Sequence, residues 1–240
     1  MNRARTRERH KKPAATSSSR AAPPMKTRER LLYEARNIVE EGGYAAASVQ
    51  AIAERCGIAA GTLYRHFPSK ADLFVELVRD AAKRDIAAMK DAASSGRTIE
   101  RIEAIVATFA RRALRRPRLA WALAYEPVDP AVYAERLVYR REHCRRMAKL
   151  LRQGILAGEI PSQKVELSAA AIVGAIAESM VGPLSPVGTI NSDEELIATL
   201  VRFCRRSLGV TDGAALHEVG SRRNPITARS LVKRSGGREI

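Results

Sequence analysis

The sequence predicts an all-α protein, in which a small N-terminal helix-turn-helix domain precedes a larger helical domain. Three observations carry that reading. Apolar residues recur at i, i+3, i+4 and i+7 in segment after segment, each bounded by Gly, Pro or a Ser/Thr/Asp start signal. Ala, Leu and Arg, all good helix formers, are abundant, while aromatics make up 5% of the 240 residues. The stretch 48–70, SVQAIAERCGIAAGTLYRHFPSK, reads as two short helices joined by a tight turn, with another helix starting at once.

Taken in order, residues 1–24 lack apolar periodicity, end in SSSRAAPP and read as a disordered basic arm. Leu31, Ala35, Ile38 and Val39 give the first helix its stripe, and Gly42-Gly43 ends it. Tyr44 is expected to pack back on the small core. Ser48 N-caps the second helix, whose stripe is Val49, Ile52, Ala53 and Cys56, and Gly57 supplies a left-handed C-cap. In the third helix Leu63 and Phe67, with Ala59 and Ala60, share a face. At 100° per residue Thr62 and Arg65 point the other way, with Tyr64 and His66 on the flanks. Ser69 caps the fourth helix with Asp72 at N3. Its stripe of Phe74, Leu77, Val78, Ala81, Ala82 and Ile86 runs to Ser94-Ser95-Gly96, so it joins the domains 25–70 and 71–209.

Thr98 is expected to cap the fifth helix, which runs to Arg116 before Pro117. A short segment, 118–126, carries Leu119, Trp121, Leu123 and Tyr125. Asp129-Pro130 is an N-cap followed by Pro at N1, opening a helix to about Leu156 that Gly158 stops. Its Arg136, Arg140, Arg141, Arg145 and Arg146 are expected on a solvated face. Residues 166–181 leave almost no polar face and must be covered on most sides. A Pro- and Gly-rich loop, 182–191, follows. Ser192 with Glu195 caps the last helix, whose seam is Leu196, Ile197, Leu200, Val201, Cys204 and Leu208. Gly209 ends it, and 210–240 read as a disordered basic tail.

The net charge is +16, of which residues 1–24 supply +6 and residues 210–240 supply +3. Basicity concentrated in tails fits attraction to a polyanion. Cys56, Cys144 and Cys204 are far apart, without metal-ligand spacing, and suit a reducing cytoplasm. The basic N-terminus has no apolar run behind it, so no signal peptide is expected. The longest charge-free apolar run, 167–177, is too short to span a bilayer. His10, His66, His143 and His217 are isolated, and no phosphate loop, triad or metal spacing is present, so neither an enzyme nor a cofactor or metal site is expected.

A helix, a Gly turn and a short helix with an exposed polar face describe a helix-turn-helix over 48–67, whose second helix enters the DNA major groove. GTLYRHFPSK, preceded by IAERCGIAA, resembles the DNA-binding domain of the tetracycline-repressor (TetR/AcrR) family. Ala35, Gly42, Ile52, Ala53, Gly57, Gly61, Leu63, Tyr64, Phe67 and Lys70 fall in register. Carried over by position, the resemblance places DNA contacts at Ser48 and Gln50, at Ala60, Thr62, Tyr64 and His66, and at Lys70. Arg65 adds a donor on the same helix. For Tyr64 and His66 the alternative is partial burial against the neighbouring helix.

The same resemblance implies a cytoplasmic homodimeric repressor, nucleoid-associated when bound to DNA. It implies an inverted-repeat operator and release by a small-molecule effector whose identity the sequence leaves open. No membrane partner is expected. Trp121, Tyr125 and His143 are the candidates for lining the effector pocket, core packing being the alternative for each. The last two helices are the candidate dimer seam. A non-switching architectural DNA-binding protein is the competing reading, disfavoured by the long helical region beyond the motif.

Overall fold

The computed structural model describes residues 25–188 and 193–210. The expected arm (1–24), tail (residues 211–240) and Ser192 cap lie outside the described residues. Ten helices follow one another in the described chain, and no strand is found there. They are α1 (Thr27–Ala46), α2 (Val49–Arg55), α3 (Ala60–His66), α4 (Lys70–Ala92), α5 (Thr98–Arg115), α6 (Pro117–Ala124), α7 (Pro130–Leu156), α8 (Val165–Ser179), α9 (Val181–Leu184) and α10 (Asp193–Ser207).

Two apolar cores organise these helices. The first gathers Leu31, Ala35 and Val39 of α1, Ile52 of α2, Leu63 of α3, Phe67, and Leu73, Phe74, Leu77 and Val78 of α4. Helices of seven residues such as α2 and α3 are too short to hold by propensity alone, so burial of Ile52, Leu63 and Phe67 stabilises them. The second core joins α5, α7, α8 and α10 through residues such as Ile102, Val106, Leu151, Ile172, Leu200 and Cys204. Leu119 and Ala122 of α6 and Val132 of α7 belong to the first core. The C-terminal helices therefore reach into the packing of the first core.

Most local signals act as read. The Ser48 hydroxyl accepts the Ala51 N–H at 3.1 Å, and Gly57 takes a φ of 61° at the end of α2. The Ser69 hydroxyl accepts the Asp72 N–H at 3.1 Å. Five expectations are corrected. Ala59 and Ala60 are exposed, because only Leu63 and Phe67 point inward from so short a helix. Thr98 is a buried first residue of α5, not its cap, since Arg97 precedes it and gives its N–H to Glu100 at 3.0 Å. Asp129 stands at the N-cap of α7 but makes no cap bond, because its carboxylate is taken by the Tyr44 hydroxyl. Arg136 is half-buried rather than solvated, donating to the carbonyls of Ala122 at 2.7 Å and Glu126 at 2.8 Å. Finally, helix resumes over Val181–Leu184 where a loop was expected.

That last difference lengthens the apolar stretch. Val165–Leu184 spans 20 residues at a mean hydropathy of 1.6, long and apolar enough to cross a bilayer by length and composition. Within the chain only Ala169, Ile172 and Ile176 of α8 are buried, and Leu167 is 70% exposed. Among the described residues, the cover expected for this helix is therefore only partly supplied.

The break in α1 lies at Gly43, with φ 79° and ψ −173°. A Cβ there would stand 2.6 Å from Glu126 Oε1. Gly43→Ala is expected to cost about 1–3 kcal/mol, combining the left-handed backbone penalty with displacement of Glu126. Urea denaturation of the two proteins measures this.

Candidate nucleic-acid interface and ligand cavity

The outer face of the helix-turn-helix carries the residues singled out from the sequence. Gln50, Ala60 and Arg65 are exposed, Tyr64 is 51% exposed, and Thr62 and His66 are half-buried. α3 ends with basic residues, Arg65 and His66. Arg65 donates to the Thr62 hydroxyl at 3.1 Å, which holds the guanidinium along the helix and leaves further N–H groups outward. Ser48 uses its hydroxyl oxygen as a cap while its O–H remains a donor. Leu63 and Phe67, fully buried on the opposite side, fix the rotation of α3 and hence what it presents.

Lys70 is different from the others. Its ammonium donates to the Tyr44 carbonyl at 2.9 Å and lies 4.1 Å from the centre of the Tyr44 ring. Burial lowers its pKa, with Asp129 acting in the opposite direction. The lysine expected at DNA is partly buried and uses one of its donors within the protein.

Tyr44 is the centre of that arrangement. Its ring meets Phe74 edge-on at 4.3 Å, its hydroxyl donates to Asp129, and its N–H donates to Glu126 at 2.7 Å. Burial, followed by the Asp129 contact, pushes its phenol up to about 12. One residue after the α1 break thereby binds the start of α4 and the α6–α7 connection together. Sequence reasoning placed Tyr44 in the head core and missed Glu126 and Asp129. The Gly42-Gly43 pair marked the turn, but nothing in the spacing names a partner some 80 residues away.

Along α4 runs a cavity of about 1080 Å³, closed by α5, α6, α7 and α8. Its walls are largely apolar, with Leu77, Val106, Phe109, Leu123, Met147 and Ile176 among them. Of the three pocket candidates it brings two together. Tyr125 lines it, donating from its hydroxyl to the Ala177 carbonyl at 2.5 Å, and so does His143. Trp121 does not. Leu119, Ala120, Leu123 and Ala124 form the cavity face of α6, and Trp121 is turned off it against Tyr125, with ring centres 5.3 Å apart. His143 lies against Tyr139 and Phe109, at 4.2 and 6.2 Å between ring centres, and its Nε2 has no partner. Asp85 of α4 accepts from Arg112 Nε of α5 at 2.6 Å and from the Tyr139 hydroxyl of α7 at 3.3 Å. Among the described residues no His, Cys, Asp or Glu cluster could hold a metal ion.

Comparison with known proteins gives this geometry a family. Residues 31–77 match the family model described as bacterial regulatory proteins, tetR family. The amino-terminal helices are therefore similar to the tetR-family domain over that span. The HTH-type transcriptional repressor KstR of Mycobacterium tuberculosis is 34% identical over 111 residues, covering 45% of this chain and 50% of that protein. The chain thus spans about half the length of the curated relatives it matches. A TetR/AcrR-family regulator from Thermobifida fusca superimposes with a TM-score of 0.61 at 25% identity, over 74% of this chain and 95% of that one. The regulator FadR from Bacillus subtilis, solved in complex with stearoyl-CoA, gives a TM-score of 0.64 at 19% identity, over 76% and 98%. The all-α fold of the described chain is therefore a fold shared with tetR-family regulators.

The matched span includes all of α2 and α3 and ends at Leu77. The tetR-family head is thus defined down to the point where α4 meets the cavity, and the residues beyond Leu77 lie outside the match.

Within the cavity, desolvation, and then Arg146, lower the His143 imidazole to about 4 from its ordinary value. The unfolded chain binds a proton there near pH 6.5 and the folded chain only near pH 4. Stability is therefore present above about pH 6.5 and is lost as pH falls towards 4, by on the order of 2–3 kcal/mol from this group. Urea unfolding at about pH 7 and pH 4.5 should show that loss, and His143→Leu should reduce it.

Proposed function

We propose that this protein is a sequence-specific DNA-binding repressor of transcription, acting in the cytoplasm as a homodimer and released from an inverted-repeat operator by a small-molecule effector. The observation that carries the reading is the helix-turn-helix, whose recognition helix α3 turns Leu63 and Phe67 inward and Thr62, Tyr64, Arg65 and His66 toward the open side. Hydroxyl, guanidinium and imidazole groups are donors suited to base edges and phosphates. In this reading Ser48, Gln50 and Ala60 flank the same DNA surface. Lys70, whose ammonium keeps further donors beyond its bond to the Tyr44 carbonyl, stands beside them at the start of α4.

Two further observations support the rest. The matched KstR proteins are transcriptional repressors, and the structurally similar FadR binds stearoyl-CoA, which favours effector control over a purely architectural role. α4 runs unbroken from Lys70, beneath the recognition helix, to Ala92, at the far end of the cavity. A ligand that prefers one position of α4 changes the spacing of the two heads, and couplings of about 1–3 kcal/mol are typical. The open apolar side of α8, with Leu167 and its small residues, is assigned to the second copy.

Light scattering at micromolar concentration is expected to give about twice the 26.3 kDa chain mass. Selection from random duplexes is expected to return an inverted repeat with half-sites roughly 34–36 Å apart, or a multiple of that. A monomeric mass or non-repeating sites would refute the dimeric operator reading. Tyr64→Ala, at an exposed position, is expected to leave thermal stability nearly unchanged. It should weaken binding to the selected operator by about 1–3 kcal/mol and to scrambled DNA by much less. Equal weakening on both duplexes would place Tyr64 away from the bases.

A further inference from the structure

The charge of the cavity is at odds with its apolar walls. Eleven Arg and Lys side chains line it against three carboxylates, Asp80, Asp85 and Glu178. Asp80 is already shared by Arg36 at 3.8 Å and Arg84 at 2.9 Å. Lys90, Arg115, Arg140 and Lys149 have no ion-pair partner among the described residues. Filling such a space with a neutral guest would strip water from cations and return nothing to them, which is costly. An anion with an apolar body satisfies both the walls and the charge.

The position of the anion is set by the hydrogen bonds. Arg112 commits its Nε to Asp85, and a guanidinium offers a planar fork of five N–H donors suited to carboxylate or phosphate. Tyr139 links this pair to a second polar point: its hydroxyl is 3.3 Å from Asp85 and its ring lies 4.2 Å from that of His143. His143 Nε2 is buried without a partner. We propose that the cavity binds an amphipathic organic anion, a carboxylate or phosphate on an apolar body, whose charged group takes Arg112 from Asp85 while His143 Nε2 meets another of its oxygens. The inference rests on the effector reading above and adds the ligand's chemical class and the point of exchange.

The exchange has a direct mechanical meaning. Asp85 belongs to α4, Arg112 to α5 and Tyr139 to α7, so one carboxylate ties three helices. An incoming anion repels Asp85 and competes for its strongest partner. The α4–α5 ion pair is thereby broken about 22 Å along the helix from Lys70, at 1.5 Å per residue. Because α4 is continuous, the change is carried along it to the end where Lys70 and Phe74 meet Tyr44.

Equilibrium dialysis of the full chain against radiolabelled decanoate, decyl phosphate and decanol tests the class directly. Both anions are expected to bind at least about tenfold more tightly than the alcohol, the scale of a charge-assisted hydrogen bond. Whichever anion binds more tightly identifies the head group as carboxylate or phosphate. Arg112→Met is expected to abolish the preference and leave decanol binding unchanged. Asp85→Asn, which removes the competing carboxylate, is expected to tighten the anions several-fold, and it provides the test if Arg112→Met does not fold. Equal binding of all three compounds, binding of none, or anion affinities unmoved by either substitution would overturn the proposal. Release of the selected operator by the tighter anion is the separate readout of effector control. Arg112-dependent binding without release would leave the anion site standing and refute the effector reading.

Discussion

The contact on which the other features depend is the set of bonds made by Tyr44. A residue at the end of α1 uses its ring, hydroxyl, N–H and carbonyl on four partners: Phe74, Asp129, Glu126 and Lys70. Each partner lies on an element that the rest of the chain must position. Lys70 and Phe74 set the start of α4, and Glu126 and Asp129 set the α6–α7 connection. Gly43 makes this possible, because its left-handed backbone turns the chain so that both the N–H and the ring of Tyr44 face inward. Partly buried, with charged partners on two sides, the contact is costly to leave half-made. The N-terminal helices and the helices that follow α4 are thereby joined by directional bonds as well as by apolar packing.

α4 inherits its importance from that junction. At one end it is fixed by Ser69, Lys70 and Phe74; in the middle it carries Leu77 and Val78 into the head core; further on it meets Asp85's partners across the cavity. A helix of 23 residues transmits displacement well because its own hydrogen bonds are stiffer than the polar pairs at its sides. Ion pairs of partly exposed groups such as Asp85–Arg112 contribute modestly to stability and can be exchanged for another anion at little net cost.

α8 and α9 present the opposite case. Their residues are apolar enough to demand cover, yet the described residues cover only one side. In contrast to α3, whose Leu63 is fully buried, α8 leaves Leu167 70% exposed among the described residues. The two faces of the molecule therefore depend on different physics: polar, oriented and exposed at α3, apolar and non-directional at α8.

Local signals determined most of the fold. Caps at Ser48 and Ser69, the breaks at Gly57, Gly158 and Gly209, and the apolar stripes of α1, α2, α4 and α10 depend on residues within one or two turns, so the sequence alone reveals them. The exposed face of α3 was legible for the same reason, since the 100° step that buries Leu63 and Phe67 also exposes Tyr64. Only the tertiary structure decided the partners of Tyr44, Lys70, Arg136 and Asp129. Arg136 and Asp129 have local readings that are physically sound, as solvated cation and N-cap, and each is overruled by a group 10 to 85 residues away that offers a better hydrogen bond. Tyr44 packs on the core as expected, and it and Lys70 gain partners that no local pattern names. The cavity is of the same kind: Asp85, Arg112, Tyr139 and His143 come from three helices, and no spacing in the chain brings them together before the helices pack.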